Sequence, residues 1–350
     1  MSFFSEIFGI ANPESVIFVD ISAGSVAGAY AHYKKDEAPS LLYTRRLPIE
    51  IRDGEPHERA LLRALSVLGA ALIREGAPIL ARHTGSGSAD TVLVSVDAPW
   101  QETKIRTEYF ERESLFVFTK KMVAVALEKT GVAPPGKLLA DESIIGTVLN
   151  GYETNEPYGK KARRASIIVL ASFIDEKISE GIAAALRSIF HTKNILLIAG
   201  GSLRYQAMRT AFPHERDAFI LDAIGPLISI ALVRRDLLVA VAEVSDAASA
   251  EHIDLWVQKI TGEFTEMAKW YPLPRTIFLL AQERNISSME QALNAAKMGG
   301  LWLSDNPPKV VSVLTSHIIG SIRHVTTAPP DLPILLMALY WQHRPSVEGT

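Results

Sequence analysis

Two stretches in different halves of the chain share one plan, and that repeat limits the possible folds more than any other feature. Val16 to Tyr33 reads VIFVDISAGSVAGAYAHY, and Ala218 to Val233 reads AFILDAIGPLISIALV. Each is an apolar run ending in an acidic residue, Asp20 or Asp222, then a turn of small residues, then a second apolar run. That pattern predicts a β-hairpin with a polar tip. An acidic side chain at the end of a buried strand, followed by backbone free of bulky groups, can hold a metal-bound phosphate beside exposed amides. Two such hairpins facing each other would make a phosphate clamp. The competing reading is that the Asp and Ser residues only cap tight hairpins.

Paired Asp-Gly hairpins of this kind resemble the superfamily of actin, heat-shock chaperones and sugar kinases, whose phosphate motifs run hydrophobic-Asp-hydrophobic-Gly. A third stretch, Ser143 to Phe173 (SIIGTVLNGYETNEPYGKKARRASIIVLASF), resembles the FtsA cell-division and PilM type IV pilus assembly families. The matching residues are Asn150, Gly151, Tyr152, Asn155, Pro157, Gly159 and Lys160. The resemblance covers roughly residues 16 to 285. It implies an α/β, actin-like (ribonuclease H-like) duplicated fold with a small α+β subdomain inserted, and a second-half helical subdomain that is reduced or absent. The corresponding segments are 1–90 (first half), 91–175 (insert), 176–215 (return to the first half), 216–325 (second half) and 326–350 (C-terminal helix and tail).

The resemblance also implies ATP and magnesium. Asp20 and Asp222 would hold Mg²⁺ through water, with Ser22, Gly24, Ser25 and Gly225 around the phosphates and Ala281 at the adenosine. No catalytic residue is assigned. The chain departs from the family pattern at several places. Ser22 replaces a Gly, Ala27 stands where a Lys approaches phosphate, and Pro226 in the second turn has no N–H to offer. The adenosine stretch, TIFLLAQERN, has Ala281 and Gln282 in place of Gly-Gly. These departures predict a degenerate nucleotide site. The implied role is an interaction scaffold at the cytoplasmic face of the inner membrane, in cell division or pilus assembly. It would bind a cytoplasmic peptide of a membrane protein or a filament-forming division protein, and it could self-associate. The alternatives are an active Mg·ATP-driven switch and, further off, a small-molecule kinase.

Composition narrows the rest. With 48% hydrophobic and 21% charged residues the chain has the balance of an ordinary globular protein of more than one subdomain. A net charge of -3 leaves no electrostatic footprint for nucleic acid. Cysteine is absent, which excludes disulfides, thiolate metal sites and Cys nucleophiles. The apolar runs fall short of a membrane span, and the N-terminus lacks the basic start of a secretory signal.

Along the chain, Phe3, Phe4, Ile7 and Phe8 are spaced for one helical face and could form a terminal foothold on a partner or membrane. Helices are predicted at His57–Arg74, Leu115–Lys129, Asp175–Phe190, from about Leu203, at Ala250–Trp270, at Met289–Lys297 and at Ile334–Trp341. Strands are predicted at 41–47, 91–96, 105–110, 139–149, 165–172, 195–202, 276–281 and 309–314. HTGSGSAD (His83–Asp90) reads as a flexible linker. Lys160, Lys161, Arg163 and Arg164 read as a solvated connector or a contact for an acidic partner segment. Gly200-Gly201-Ser202, at a strand-to-helix turn, could present amides to an anion or simply let helix and strand pack closely. Asp97 is the single candidate for a kinase general base, with turn capping as the plainer role. The His residues are scattered, and no zinc-protease, nucleophile-elbow or phosphate-loop motif occurs.

Overall fold

The computed structural model describes residues 14–130, 133–154, 156–225, 227–245, 253–302 and 308–344. The apolar N-terminal residues, Asn155 and Pro226, on which readings above rest, lie outside the described residues.

The chain opens with an antiparallel meander of β1 (Glu14–Ile21), β2 (Ser25–Tyr33) and β3 (Ser40–Pro48). Val16, Ile17, Phe18, Val19 and Ile21 are all buried, as in a strand covered on both faces, where β-branched residues fit well. A long helical crossover follows: α1 (His57–Ala71), a π-helical turn (Leu72–Gly76) and α2 (Ala77–Thr84). By length and composition this crossover could span a membrane, yet Leu61, Leu65, Leu68 and Leu72 are buried in the protein. Gly28 on β2 lets it approach, since a Cβ there would stand 2.6 Å from Leu72 Cδ1. The chain returns as β4 (Thr91–Val96), parallel to β1.

It then leaves for β5 (Gln101–Val117), α3 (Lys120–Thr130), β6 (Lys137–Leu149), β7 (Tyr152–Glu153) and β8 (Lys161–Asp175). These strands form their own antiparallel sheet in the order β5-β8-β6-β7. Next come α4 (Glu176–Phe190), β9 (Ile195–Ala199), parallel to β4, and α5 (Gly200–Ala211). A second series follows: β10 (Ala218–Ala223), β11 (Leu227–Arg234), β12 (Leu237–Ser245), α6 (Ile253–Ala268), β13 (Thr276–Ala281), α7 (Glu283–Ala295) and β14 (Lys309–Ser312). The chain closes with α8 (Thr315–Ile319), β15 (Arg323–His324) and α9 (Leu332–His343).

The described chain divides into two compact units. One holds residues up to Trp100, Lys177–Pro213 and from Leu314 onward; its sheet runs β15-β3-β2-β1-β4-β9. The other holds Gln101–Glu176 and His214–Val313, with the β5-β8-β6-β7 sheet and a second sheet ordered β12-β11-β10-β13-β14. The two larger sheets repeat one topology. In each, a three-stranded antiparallel meander is extended from its first strand by two parallel strands reached through helical crossovers. This is the duplicated α/β architecture that the paired hairpins implied. Between β12 and β13 the described residues hold one helix, α6, which buries Trp256, Ile260 and Phe264 against Phe219, Leu221 and Ile277.

The pairings correct several boundaries. Thr91–Val96 pairs with β1, so it belongs to the first sheet and the inserted stretch starts at Gln101 rather than at 91. The chain rejoins the first unit at Leu314, where β15 adds to β3 and α9 buries nearly every side chain it has. Leu115–Val117 continues β5 and is not the start of a helix, and the basic connector at Lys161–Arg164 is the first part of β8. β12, α8 and β15 have no counterpart in the sequence reading.

Candidate functional site: the two acidic hairpin tips

Asp20 ends β1 with its side chain 2% exposed. Register places a row of residues across four strands of the first sheet: Ser95 on β4, Asp20, Ala27 on β2 and Arg46 on β3. Cross-strand neighbours share a face. Arg46 therefore reaches over the small Ala27 to Asp20, with Nη2 donating to Oδ2 at 2.9 Å. The positive charge missing at Ala27 is thus supplied from the next strand.

Arg46 is also held from the far side. Its Nε and Nη2 donate to the two carboxylate oxygens of Asp331 at 2.6 and 2.8 Å, and Nη1 donates to Ser25 Oγ at 2.8 Å. These bonds engage all but one of the five guanidinium N–H groups. Asp331 in turn caps α9, accepting from the Ile334 amide at 3.3 Å. Burial pushes the Asp20 carboxyl above its ordinary value; Arg46 opposes that shift, and Asp97 and Asp331 add to it. Two atoms of this row, Asp20 Oδ1 and Ser95 Oγ, are buried without a hydrogen-bond partner.

The rest of the first tip is closed on itself. The Ser22 amide donates to the Ser25 carbonyl at 2.9 Å, and the two Ser hydroxyls lie 3.0 Å apart. The Gly24 carbonyl accepts from the Ile49 amide at 2.9 Å, and His57 Nε2 donates to the Ala23 carbonyl at 2.8 Å. Ser22 and Ser25 thus serve the turn and Arg46.

Asp97, the general-base candidate, follows β4 and faces Arg204 of α5 in a buried two-pronged ion pair, with Oδ1 at 2.6 Å from Nη2 and Oδ2 at 3.1 Å from Nη1. Its main-chain carbonyl also accepts from the Trp100 amide at 3.2 Å, closing the turn after β4. The carboxylate lies against the first turn of α5, where a Cβ on Gly200 would be 1.8 Å from Oδ1. The anion beside the Gly200-Gly201-Ser202 turn is therefore the protein's own carboxylate, at the positive end of the helix.

In the other unit Asp222 ends β10 in the same way and is buried. Its Oδ1 accepts from the Ile224 amide at 3.2 Å, a cap on the tip of its own hairpin. Ala281, at the end of β13, is the register partner of Ala223, and the next residue closes the tip: Gln282 Nε2 donates to the Ile224 carbonyl at 3.1 Å. Gln282, standing where the resemblance has a glycine, ties the strand end to the hairpin. Gly225 is half-buried beside it.

At the first tip Arg46 neutralises the Asp20 carboxylate through Oδ2, so the charge that magnesium would answer is already met, and Oδ1 alone is left for a water of a hydrated cation. No group of three metal-binding side chains occurs among the described residues. Sequence reasoning found Asp20, Ser25, Asp97 and Asp222 but missed Arg46, Asp331, Arg204 and Gln282. LLYTRRLP carries two adjacent arginines, and nothing in it tells Arg46, which reaches Asp20, from Arg45, which pairs with Glu75.

No protein-family model and no curated protein sequence matches the chain. Solved structures do. A chain of the PilM-PilN type IV pilus biogenesis complex superposes with a TM-score of 0.59 at 13% identity, covering 94% of this chain and 99% of that one. A Bacteroides thetaiotaomicron protein with an actin-like ATPase fold and unknown function gives 0.46 at 8% identity, over 97% and 98% of the two chains. The ethanolamine utilization protein EutJ from Carboxydothermus hydrogenoformans gives 0.42 at 11% identity, over 96% and 93%. The repeated sheet topology and the full-length superposition together give the chain an actin-like ATPase fold with a resemblance to PilM.

Proposed function

We propose that this chain is an actin-like scaffold of the PilM kind. It works at the cytoplasmic face of the inner membrane, where it holds a cytoplasmic peptide of a membrane protein for type IV pilus assembly. The observation that carries this reading is the superposition on a chain of the PilM-PilN complex over 94% of this chain and 99% of that one. Within it, the hairpin tips are structural: Arg46 supplies at Asp20 the positive charge that magnesium would bring, and Asp222 and Gln282 seal the second tip. Binding, not turnover, is then the protein's activity.

The test is capture of partners by the full chain from detergent-solubilised bacterial membranes. A membrane protein with a short cytoplasmic segment should co-purify, and a synthetic copy of that segment should compete it off. Co-purification of a tubulin-like division protein instead would move the scaffold to cell division. Recovery of neither would contradict the proposal.

One observation favours a second reading, an ATP-dependent switch. Arg46 restores the cation that Ala27 lacks, and it keeps one N–H unengaged. That reading requires Mg·ATP to bind and so to raise the thermal unfolding midpoint.

A further inference from the structure

The inserted sheet has a root and a far end. The chain enters at Gln101 and leaves near Asp175, side by side, since Gln101 pairs with Ile174. At the far end lie Glu111–Val117 of β5, the start of β8 at Lys161, and the β6–β7 hairpin around Asn150 and Gly151. Register slips there: Glu111 pairs with Arg164 and Phe116 with Ala162, so Arg112, Glu113, Ser114 and Leu115 stand against Arg163 alone. Such a bulge re-aims side chains outward.

The apolar residues at this end fall into two sets. Phe116, Phe118, Leu149, Ala162 and Ala165 form a buried cluster with Val123 of α3. Leu115 and Tyr152 take no part in it and are 59% and 78% exposed. Basic side chains surround them. Glu111–Lys121 and Asn150–Arg164 together carry seven Lys and Arg against four Glu, whereas the whole chain is net negative. Arg164 is paired to Glu111 at 2.7 Å, but Lys121, Lys161 and Arg163 have no carboxylate partner among the described residues. Lys120 rests over the Tyr158 ring, which stacks on Phe118.

A lone exposed leucine needs no explanation. Exposed apolar side chains at one end of a sheet, on its two edge strands, with cations that lack a carboxylate partner among the described residues between and beside them, are a different matter. They meet the two requirements of an interfacial surface, electrostatic attraction to anionic headgroups and apolar groups that enter the acyl boundary. An acidic peptide would be better served by a groove, whereas Leu115 and Tyr152 project. We propose that the far end of the inserted sheet docks on an anionic phospholipid surface. Lys121, Lys161 and Arg163 lie over the phosphates, and Leu115 and Tyr152 enter the headgroup layer. This uses none of the hairpin-tip residues and stands apart from the choice of protein partner.

Flotation of the full chain with vesicles tests it. The chain should rise with mixed phosphatidylglycerol and phosphatidylcholine vesicles, stay down with pure phosphatidylcholine, and be released by salt. Each basic residue near an anionic leaflet contributes roughly fivefold to partitioning, so Lys161→Glu with Arg163→Glu should lower binding more than about twentyfold. Leu115→Ser with Tyr152→Ser should weaken binding while leaving its salt dependence in place. All four positions are exposed, and unchanged unfolding midpoints verify that the variants fold. Equal binding to neutral vesicles, or undiminished binding by the charge-reversed variant, would overturn the proposal. Binding to polyglutamate in place of vesicles would also overturn it and reassign the surface to an acidic protein.

Discussion

Asp20 and Arg46 make the clearest case for what a single residue decides. A carboxylate this buried needs a partner, and removing the partner from a buried ion pair typically costs about 3 kcal/mol or more. Arg46→Ala is therefore expected to lower stability by about 3 kcal/mol in urea denaturation, with Asp20→Asn in the same chain recovering part of the loss. A loss below about 1 kcal/mol would mean that the pair is solvated and spends little time formed. Gly200→Ala should be as damaging, by about 3 kcal/mol, because its Cβ would collide with Asp97 Oδ1 and pry apart the pair with Arg204.

Glu243, on β12, supplies a pH test. Burial raises its carboxyl above the ordinary 4.5, and the charge of Glu102 adds to the shift; the Thr103 amide, Lys137 and Gln101 oppose it. A raised folded-state value means that Glu243 is best tolerated below its unfolded value, and that its contribution is lost as pH rises through the folded value. Glu243→Gln should then stabilise the protein at neutral pH and do little near pH 4, as read from urea midpoints at the two conditions. Equal effects at both would remove burial as the cause. Asp20, Asp222 and the loss of cation at Ala27 were legible in the sequence. Arg46 was not, because its place beside Asp20 depends on the β2–β3 register, which shifts at Tyr30/Ala31. One residue of slip turns a side chain to the other face, and nothing local in LLYTRRLP reports it.

At the scale of elements, periodicity found the longer helices but not their ends, and it missed the short α8. The crossover reads as ending at Arg74, a basic residue where a helix C-terminus favours one, yet it runs on to Thr84. Pro78 lacks the N–H for a normal helical bond, and the π turn at Leu72–Gly76 widens the spiral just before it. LFVFTKKMVAVAL fits both a strand and a helix by apolar spacing; Thr119 separates them, its hydroxyl accepting from the Met122 amide at 3.3 Å at the start of α3. α9 is apolar on every side, so it shows no amphipathic stripe, and its burial explains why. Tyr33 donates to its Ala338 carbonyl at 2.9 Å, and Asp331 ties its first turn to Arg46. Leu336→Ala, at a fully buried position, should cost about 3 kcal/mol, measured by chemical denaturation. A cost near zero would mean that α9 packs only loosely on the first sheet.

For the whole molecule, the repeated hairpins were enough to give the duplicated fold, since each apolar-Asp-turn-apolar unit is local in sequence. The limits of the insert were not, because Thr91–Val96 is assigned by its partner β1 and not by its own residues. We propose that the fold is kept while internal ion pairs and caps stand in the places of nucleotide chemistry. Thermal unfolding with Mg·ATP tests this most directly. A site with a Kd of about 10 μM would add about 2.7 kcal/mol at 1 mM ligand, a shift of several degrees. The midpoint is expected to stay unchanged at millimolar Mg·ATP. A rise that depends on magnesium and disappears in Asp20→Ala and Asp222→Ala would contradict it.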